Sequence, residues 1–186
     1  VLALAGVVAA AATIPGCGRR KAVEHYNRGV QLAKVENYAA ARAEFAEALR
    51  LRPKFPEAHN SLGYVLNQLG RYEEAIPHFQ AAADAEKFRG RPLAYLNLGT
   101  AYSNAHDYDA AQRAVRKSLE LEPTAQGYYV LAQVYAVRNN TAEALDALER
   151  CLALESQRVY AVEMDTVFDG LRTEPRFRAL LDKHRK

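Results

Sequence analysis

Two thiols, five imidazoles and a scatter of amide and phenol side chains are the groups in this 186-residue chain with chemistry to offer. Their spacing removes most of that chemistry. No H-E-x-x-H, paired C-x-x-C, G-x-S-x-G or phosphate-cradling glycine loop is present. His25 and His59 recur 34 residues apart, as packing residues would, and His78, His106 and His184 lack the spacing of metal ligands. Asp107-Tyr108-Asp109 reads as a turn leading into a helix, where acids favour the positive end of the dipole. No catalytic residue, metal site or cofactor is expected, and the chain reads as a non-enzyme. Two features remain. Cys17 follows closely on an uncharged apolar run, and side chains, most of them polar, recur one helical turn apart along several segments. The second set consists of Tyr26 with Val30; Asn60, Tyr64 and Asn67; Leu96, Thr100 and Ser103 with Asn97 beside them; and Tyr129 with Gln133.

The elements that must position these side chains are helices in pairs. Across Pro56 to Lys87, Leu62, Gly63 and Leu66 fall at helical spacing, and Ala75, Phe79 and Ala82 resume it after the break Leu69-Gly70-Arg71. Neither helix is apolar all round, so the pair cannot bury its own surface and needs similar pairs on each side. Three more follow the pattern. Gly29, Leu32, Ala41, Phe45 and Ala48 come first; Gly99, Tyr102, Ala111, Val115 and Ser118 third; Ala132, Tyr135, Ala144, Leu148 and Cys151 fourth. First helices are predicted at about 22–35, 57–69, 92–105 and 125–138, and second helices at about 39–51, 73–86, 109–120 and 142–154. Pro53, Pro56, Pro92 and Pro123 punctuate the joints. Pro77 falls inside a second helix and is expected on its outer first turns. Cys151 stands where the other repeats place Ala48, Ala82 and Ser118, so it reads as a small core residue.

Successive glycines are 34 and 36 residues apart, and Ala132 follows Gly99 by 33. A helix-turn-helix pattern with this period resembles the tetratricopeptide repeat family. The likeness covers about Ala22 to Arg158, as four repeats at about 22–55, 56–89, 92–124 and 125–158. The departures are specific: the large aromatic expected early in the first helix is His25, His59, Tyr95 and Tyr128, and Gly90-Arg91 is inserted between repeats two and three. The resemblance implies an all-α, right-handed solenoid whose first helices line a concave face that holds peptides or partner helices. The recurring side chains from Tyr26 to Gln133 would then lie on that face, amides pairing with the backbone of an extended peptide while tyrosines cover its apolar side chains. Members that grip a C-terminal carboxylate use Lys, Arg and Asn there. The matching places hold Tyr26, Val30, Ser61, Leu93 and Asn97, so that activity is not implied. An uncharged or apolar segment of another exported protein, one of the cell envelope, is the expected ligand.

Residues 1–16 read as a secretory signal. Val1 to Ile14 carries no charge, and at 14 residues it falls short of the roughly 20 needed to cross a bilayer as a helix. With no Met and no basic flank ahead of the run, the true start is expected upstream of Val1. Ile14-Pro15-Gly16-Cys17 resembles a bacterial lipobox, although Pro15 is uncommon in one. By that resemblance Cys17 is lipidated and becomes the first mature residue, residues 17–21 form a tether, and Arg19, Arg20 and Lys21 lie beside lipid head groups. Gly18 rather than Asp after the Cys favours the periplasmic side of an outer membrane. An ordinary signal or an Ala-rich helix is the alternative, and the chain would then be a soluble cytoplasmic adaptor. Signal, lipobox and repeat together also resemble the pilotin lipoproteins of type IV pilus machines.

The balance of 25 basic against 22 acidic side chains is too even for a nucleic-acid-binding surface, and the charges are interspersed as on a solvated outer face. Beyond Arg158 the repeat fades into a cap over 159–186. Val159, Val162 and Met164 are expected to continue an apolar stripe, Thr173 to cap a last helix, and Phe168, Leu171, Phe177, Leu180 and Leu181 to cover the open end.

Overall fold

The computed structural model describes residues 17–185. The predicted signal over 1–16 lies outside the described residues, and so does the Cys17 side chain. Eight helices alternate in antiparallel pairs: α1 (Cys17–Lys34) with α2 (Tyr38–Leu51), α3 (Pro56–Gln68) with α4 (Tyr72–Ala83), α5 (Arg91–Asn104) with α6 (Tyr108–Leu121), and α7 (Ala125–Val137) with α8 (Thr141–Leu154). Each pair stacks on the next, making a right-handed α-solenoid. The cap is a 3₁₀ turn (Ser156–Arg158), α9 (Val159–Met164), a second 3₁₀ turn (Thr166–Leu171) and α10 (Pro175–His184).

Close approach within each pair depends on the small residue of the first helix. A Cβ on Gly29 would stand 2.7 Å from the Phe45 ring, one on Gly63 2.8 Å from the Phe79 ring, and one on Gly99 2.4 Å from a Val115 methyl. Phe45, Phe79 and Val115 are buried against those gaps. The turn inside each pair is equally periodic. Glu36, Gly70, His106 and Asn139 all have positive φ, between 57° and 72°, and they are spaced 34, 36 and 33 residues apart. Only the second repeat places glycine there, the residue for which this conformation carries no steric penalty. In the first and third repeats the next residue caps the second helix: Asn37 accepts from the amide of Ala40 at 3.3 Å and Asp107 from that of Ala110 at 3.0 Å.

The structure departs from the sequence-based expectation in several places. Helix α1 begins at Cys17, five residues ahead of the predicted start at Ala22. Helix α4 ends at Ala83, three residues early, because the inserted stretch leads away from it; Arg91 then returns to cap it, its Nε donating to the Ala83 carbonyl at 2.9 Å. Pro77 is exposed on the outer face as expected, yet it is the sixth residue of α4 and lies beyond the first turn. Met164 is 79% exposed and leaves the apolar stripe, whereas Val159 and Val162 are buried. Glu174, not Thr173, precedes α10, and no side chain caps that helix.

The core divides into two large clusters, with two smaller ones at Ala48–Phe55–Ala58 and Ala82–Ala83–Ala94. One cluster runs from Leu96 and Val115 through α7 and α8 to Phe168, Phe177, Leu180 and Leu181 of the cap. Another joins Ala41, Phe45, Leu62, Phe79 and Leu98 across the first three repeats. Ser118 is the buried polar side chain among the described residues, and its hydroxyl donates to the Pro92 carbonyl at 2.7 Å, tying α6 to the start of α5. Cys151 is fully buried at the matching place in α8, and burial pushes its thiol up to about 11, which leaves it protonated and inert near neutral pH.

Candidate functional site

Helices α1, α3, α5 and α7 bring the predicted side chains to one face, but they do not treat them alike. Asn60, Tyr64 and Asn97 meet in an open cavity of about 440 Å³ between α1, α3 and α5, with Val30, Ala33 and Leu93 as its apolar lining. Tyr64 and Leu93 are 42% and 53% exposed there, large apolar surfaces presented to solvent. Lys34 is the charged residue at the rim of this cavity.

Polar side chains on α3 and α5 cross-link the two helices. Asn97 Nδ2 donates to Asn60 Oδ1 at 3.1 Å, and two helical turns further along Asn104 Nδ2 donates to Asn67 Oδ1 at 3.2 Å. Each amide keeps unused donor and acceptor capacity, because Asn carries two N–H donors and two acceptor lone pairs. Tyr64 projects between the two cross-links, its ring edge-on to Tyr38 at 6.5 Å. Burial and the neighbouring Tyr64 raise the Tyr38 phenol above its ordinary value, so the Tyr38 ring is a neutral hydrogen-bonding surface at physiological pH. A ladder of amides flanking an exposed phenol suits the backbone of an extended chain.

Other predicted residues are engaged elsewhere. Tyr26 packs its ring against Phe45 and Phe55, with centroids 5.7 and 5.0 Å away, and fills the joint between α1, α2 and α3. Thr100 donates its hydroxyl to the Leu96 carbonyl of its own helix at 3.1 Å. Ser103 is half-buried on α5. Leu96 is buried in the core beside α7. Tyr129 and Gln133 do stand on the concave side of α7, but both reach Asp165 of the cap, at 2.6 and 2.7 Å. Asn104 is the groove residue that sequence reasoning passed over. Its signal was present, since Asn104 follows Asn67 by 37 residues, as Asn97 follows Asn60.

Three of the histidines, His25, His59 and His78, bond within helix pairs. His25 Nδ1 and Glu44 Oε2 lie 2.7 Å apart, and the hydrogen bond from His25, with Arg28 beside it, holds the Glu44 carboxyl below its usual range. At the equivalent place in repeat two, His59 and His78 meet through their Nδ1 atoms at 3.0 Å, while His59 Nε2 lies 2.9 Å from the Pro53 carbonyl. That carbonyl accepts only, so His59 Nε2 carries the proton and His78 Nδ1 donates to His59 Nδ1.

Antiparallel helix pairs of 33 to 36 residues, stacked about a groove lined by every first helix, define a class of helical-repeat protein. The chain belongs to the tetratricopeptide repeat family, whose profile matches residues 26–90 and 96–157. Its fold is similar to MamA from Desulfovibrio magneticus RS-1, with TM-score 0.68 and 25% identity over 74% of this chain and 77% of that one. It is also similar to PilW, a widely conserved type IV pilus biogenesis factor, with TM-score 0.75 and 17% identity over 87% of this chain and 75% of that one. The first repeat domain of Spaghetti (RPAP3), bound to the HSP90 peptide SRMEEVD, aligns with TM-score 0.61 and 19% identity over 65% of this chain and 95% of that one.

Proposed function

We propose that this protein is a scaffold that holds an extended, uncharged or apolar segment of a partner protein in the groove of its first three repeats. The observation that carries the reading is the cavity between α1, α3 and α5. There exposed Tyr64 and Leu93 offer apolar contact, and the Asn60–Asn97 and Asn67–Asn104 pairs offer backbone hydrogen bonding. The peptide held by the related fold of Spaghetti supports a peptide as ligand, although that ligand is acidic and this groove offers one lysine.

The test is site-specific photocrosslinking from position 64 in the native host, with crosslinked peptides mapped by mass spectrometry. A single partner segment lost on Asn60→Ala/Asn67→Ala, with helicity retained, is the expected result. Crosslinks that persist unchanged in the double variant would refute the groove as the binding surface.

The same proposal places the scaffold in a bacterial envelope, anchored by lipid on Cys17, and the apolar stretch ahead of that residue supports the anchor. Several acyl chains would make the attachment stable, each buried methylene contributing about 0.8 kcal/mol. The likeness in fold to PilW supports a pilus assembly role as the sharper form of this reading. Intact mass and membrane fractionation of the natively expressed protein beside Cys17→Ala test the anchor. An unmodified chain in the soluble fraction would replace it with a cytoplasmic adaptor.

A further inference from the structure

Repeat four presents Tyr129 and Gln133 where a groove ligand would lie, yet both are already occupied. Two donors from successive turns of α7 converge on one oxygen, Asp165 Oδ2, at 2.6 and 2.7 Å. The other oxygen, Oδ1, accepts the Val167 amide at 3.0 Å and fixes the turn that follows. Next to this contact the Phe168 ring meets the Tyr129 ring edge-on, with centroids 5.8 Å apart. An acidic side chain on the one extended residue between α9 and the 166–171 turn, with the aromatic Phe168 three residues on, sits against α7 where a groove ligand's side chain would lie.

We propose that Tyr129 and Gln133 form a carboxylate-binding subsite of the groove, that Asp165 fills it in cis, and that the fourth repeat is thereby closed to the partner. The inference deepens the scaffold reading and rests on it for its functional consequence, but the subsite itself does not depend on a partner. Its selectivity follows from donor count. Both groups facing the oxygen donate, no acceptor is needed from the ligand's side of the pair, and two donors on one oxygen reward a full negative charge over a neutral carbonyl. The titration of the two groups agrees. Burial raises the Tyr129 phenol, and its hydrogen bond to Asp165 raises it further; burial also acts to raise the Asp165 carboxyl, but the hydrogen bonds from Tyr129, Val167 and Gln133 together bring it below its ordinary value.

Two consequences follow. A partner segment has three repeats to occupy, and it ends against the cap. A cap that swings away would expose a fourth repeat selective for Asp or Glu, because the clasp that holds Asp165 is then empty.

Chemical rescue tests the subsite without knowledge of the partner. In Asp165→Ala the donors keep their places on α7 but lose their acceptor, and the melting temperature falls. Acetate should then restore it in the variant by several degrees more than in wild type, whereas chloride at equal ionic strength should not. Ligand-linked stabilisation of that size corresponds to roughly tenfold saturation of a weak site. The tripeptide acetyl-Gly-Asp-Gly-amide should rescue at lower concentration than acetate, and acetyl-Gly-Asn-Gly-amide should fail. Adding Tyr129→Phe to Asp165→Ala should abolish rescue while the helical spectrum is kept. Equal stabilisation of variant and wild type by acetate, or equal rescue by the Asp and Asn peptides, would overturn the proposal. Should Asp165→Ala not fold, Asp165→Ser serves for the same comparison, and its indifference to acetate would count equally against the subsite.

Discussion

Replacing Gly63 by Ala tests how the repeat is held together, because the added methyl has a defined collision partner. Its Cβ would stand 2.8 Å from Cδ1 and Cε1 of Phe79 and 3.1 Å from Cγ. Carbon atoms prefer about 3.5–4.0 Å, so one side must move by most of an ångström. Phe79 is 1% exposed and packed between repeats, so its ring has no open direction to take. Overpacking of this kind costs about 1–3 kcal/mol, against which alanine regains roughly 1 kcal/mol of helix propensity. The single variant is therefore expected to lose about 1 kcal/mol, or roughly 2–4 °C for a chain of this size. The sharper quantity comes from a double-mutant cycle with Phe79→Leu, monitored by urea unfolding. In the leucine background the collision is relieved, and Gly63→Ala should become neutral or stabilising, giving a coupling of at least about 1 kcal/mol. Gly18→Ala, whose methyl meets nothing within 4 Å, serves as the uncoupled control. A coupling below about 0.5 kcal/mol would refute the argument that Gly63 is required by ring contact.

Glu36 holds a left-handed conformation at φ 57°, so Glu36→Gly should stabilise the first repeat by up to about 1 kcal/mol, read as a shift in the urea midpoint. The same change at Ala39, on the helical side of the turn, should destabilise by a similar amount, about 1 kcal/mol. Burial lowers the basicity of His78, and the nearby His59 lowers it further, with Glu74 acting the other way and Arg42 of α2 lining the same hollow. The unfolded chain then binds more protons below about pH 6.5, so stability is full above that value and falls as the pH drops toward 5. His78→Gln should flatten this slope in thermal melts taken from pH 7.5 to 5, and an unchanged slope would show that the pair is not its source.

Period and face were legible in the sequence for a physical reason. Gly29, Gly63 and Gly99 are small because rings or methyls lie against them, and a steric demand of that kind leaves its mark on residue type. The positions with positive φ left an uneven mark: Gly70 and Asn139 are types that favour this conformation, whereas Glu36 accepts one that its type does not advertise. Groove residues were half legible. Helical spacing places Asn60, Tyr64 and Tyr129 on one face, but it does not reveal that a distant Asp165 will fold back on one of them. Tyr26 shows the converse limit: its neighbours Phe45 and Phe55 come from α2 and from the joint ahead of α3, and their convergence is a property of the stack rather than of the α1 pattern. The insertion at Gly90-Arg91 read as an irregularity, and the structure gives it a task in closing α4 through the Ala83 carbonyl.

Stability is unevenly placed along the solenoid, and the groove lies toward the weaker end. Helix α1 buries Ala22 and Gly29 and has no packed helix on its outer side among the described residues, whereas α8 buries Ala144, Leu145, Ala147, Leu148, Cys151 and Leu152. The cap adds Phe168, Phe177, Leu180 and Leu181 to that second set, so the C-terminal cluster is both larger and closed. In a stack with nearest-neighbour coupling, opening starts where a unit has one neighbour and little apolar area to lose. Amide hydrogen exchange should therefore be fastest in α1 and α2 and slowest in α7 and α8, with α3 and α5 between them. Each fully buried Leu or Phe is worth roughly 1.5–3 kcal/mol, which makes the expected gap between the ends several kcal/mol of opening free energy. A groove partner resting on α1, α3 and α5 would then protect the first repeat most, because that is where ordering has the most to gain. Uniform exchange along the chain would mean that the four repeats open as one unit, and the division of the core into two large clusters would carry no energetic weight.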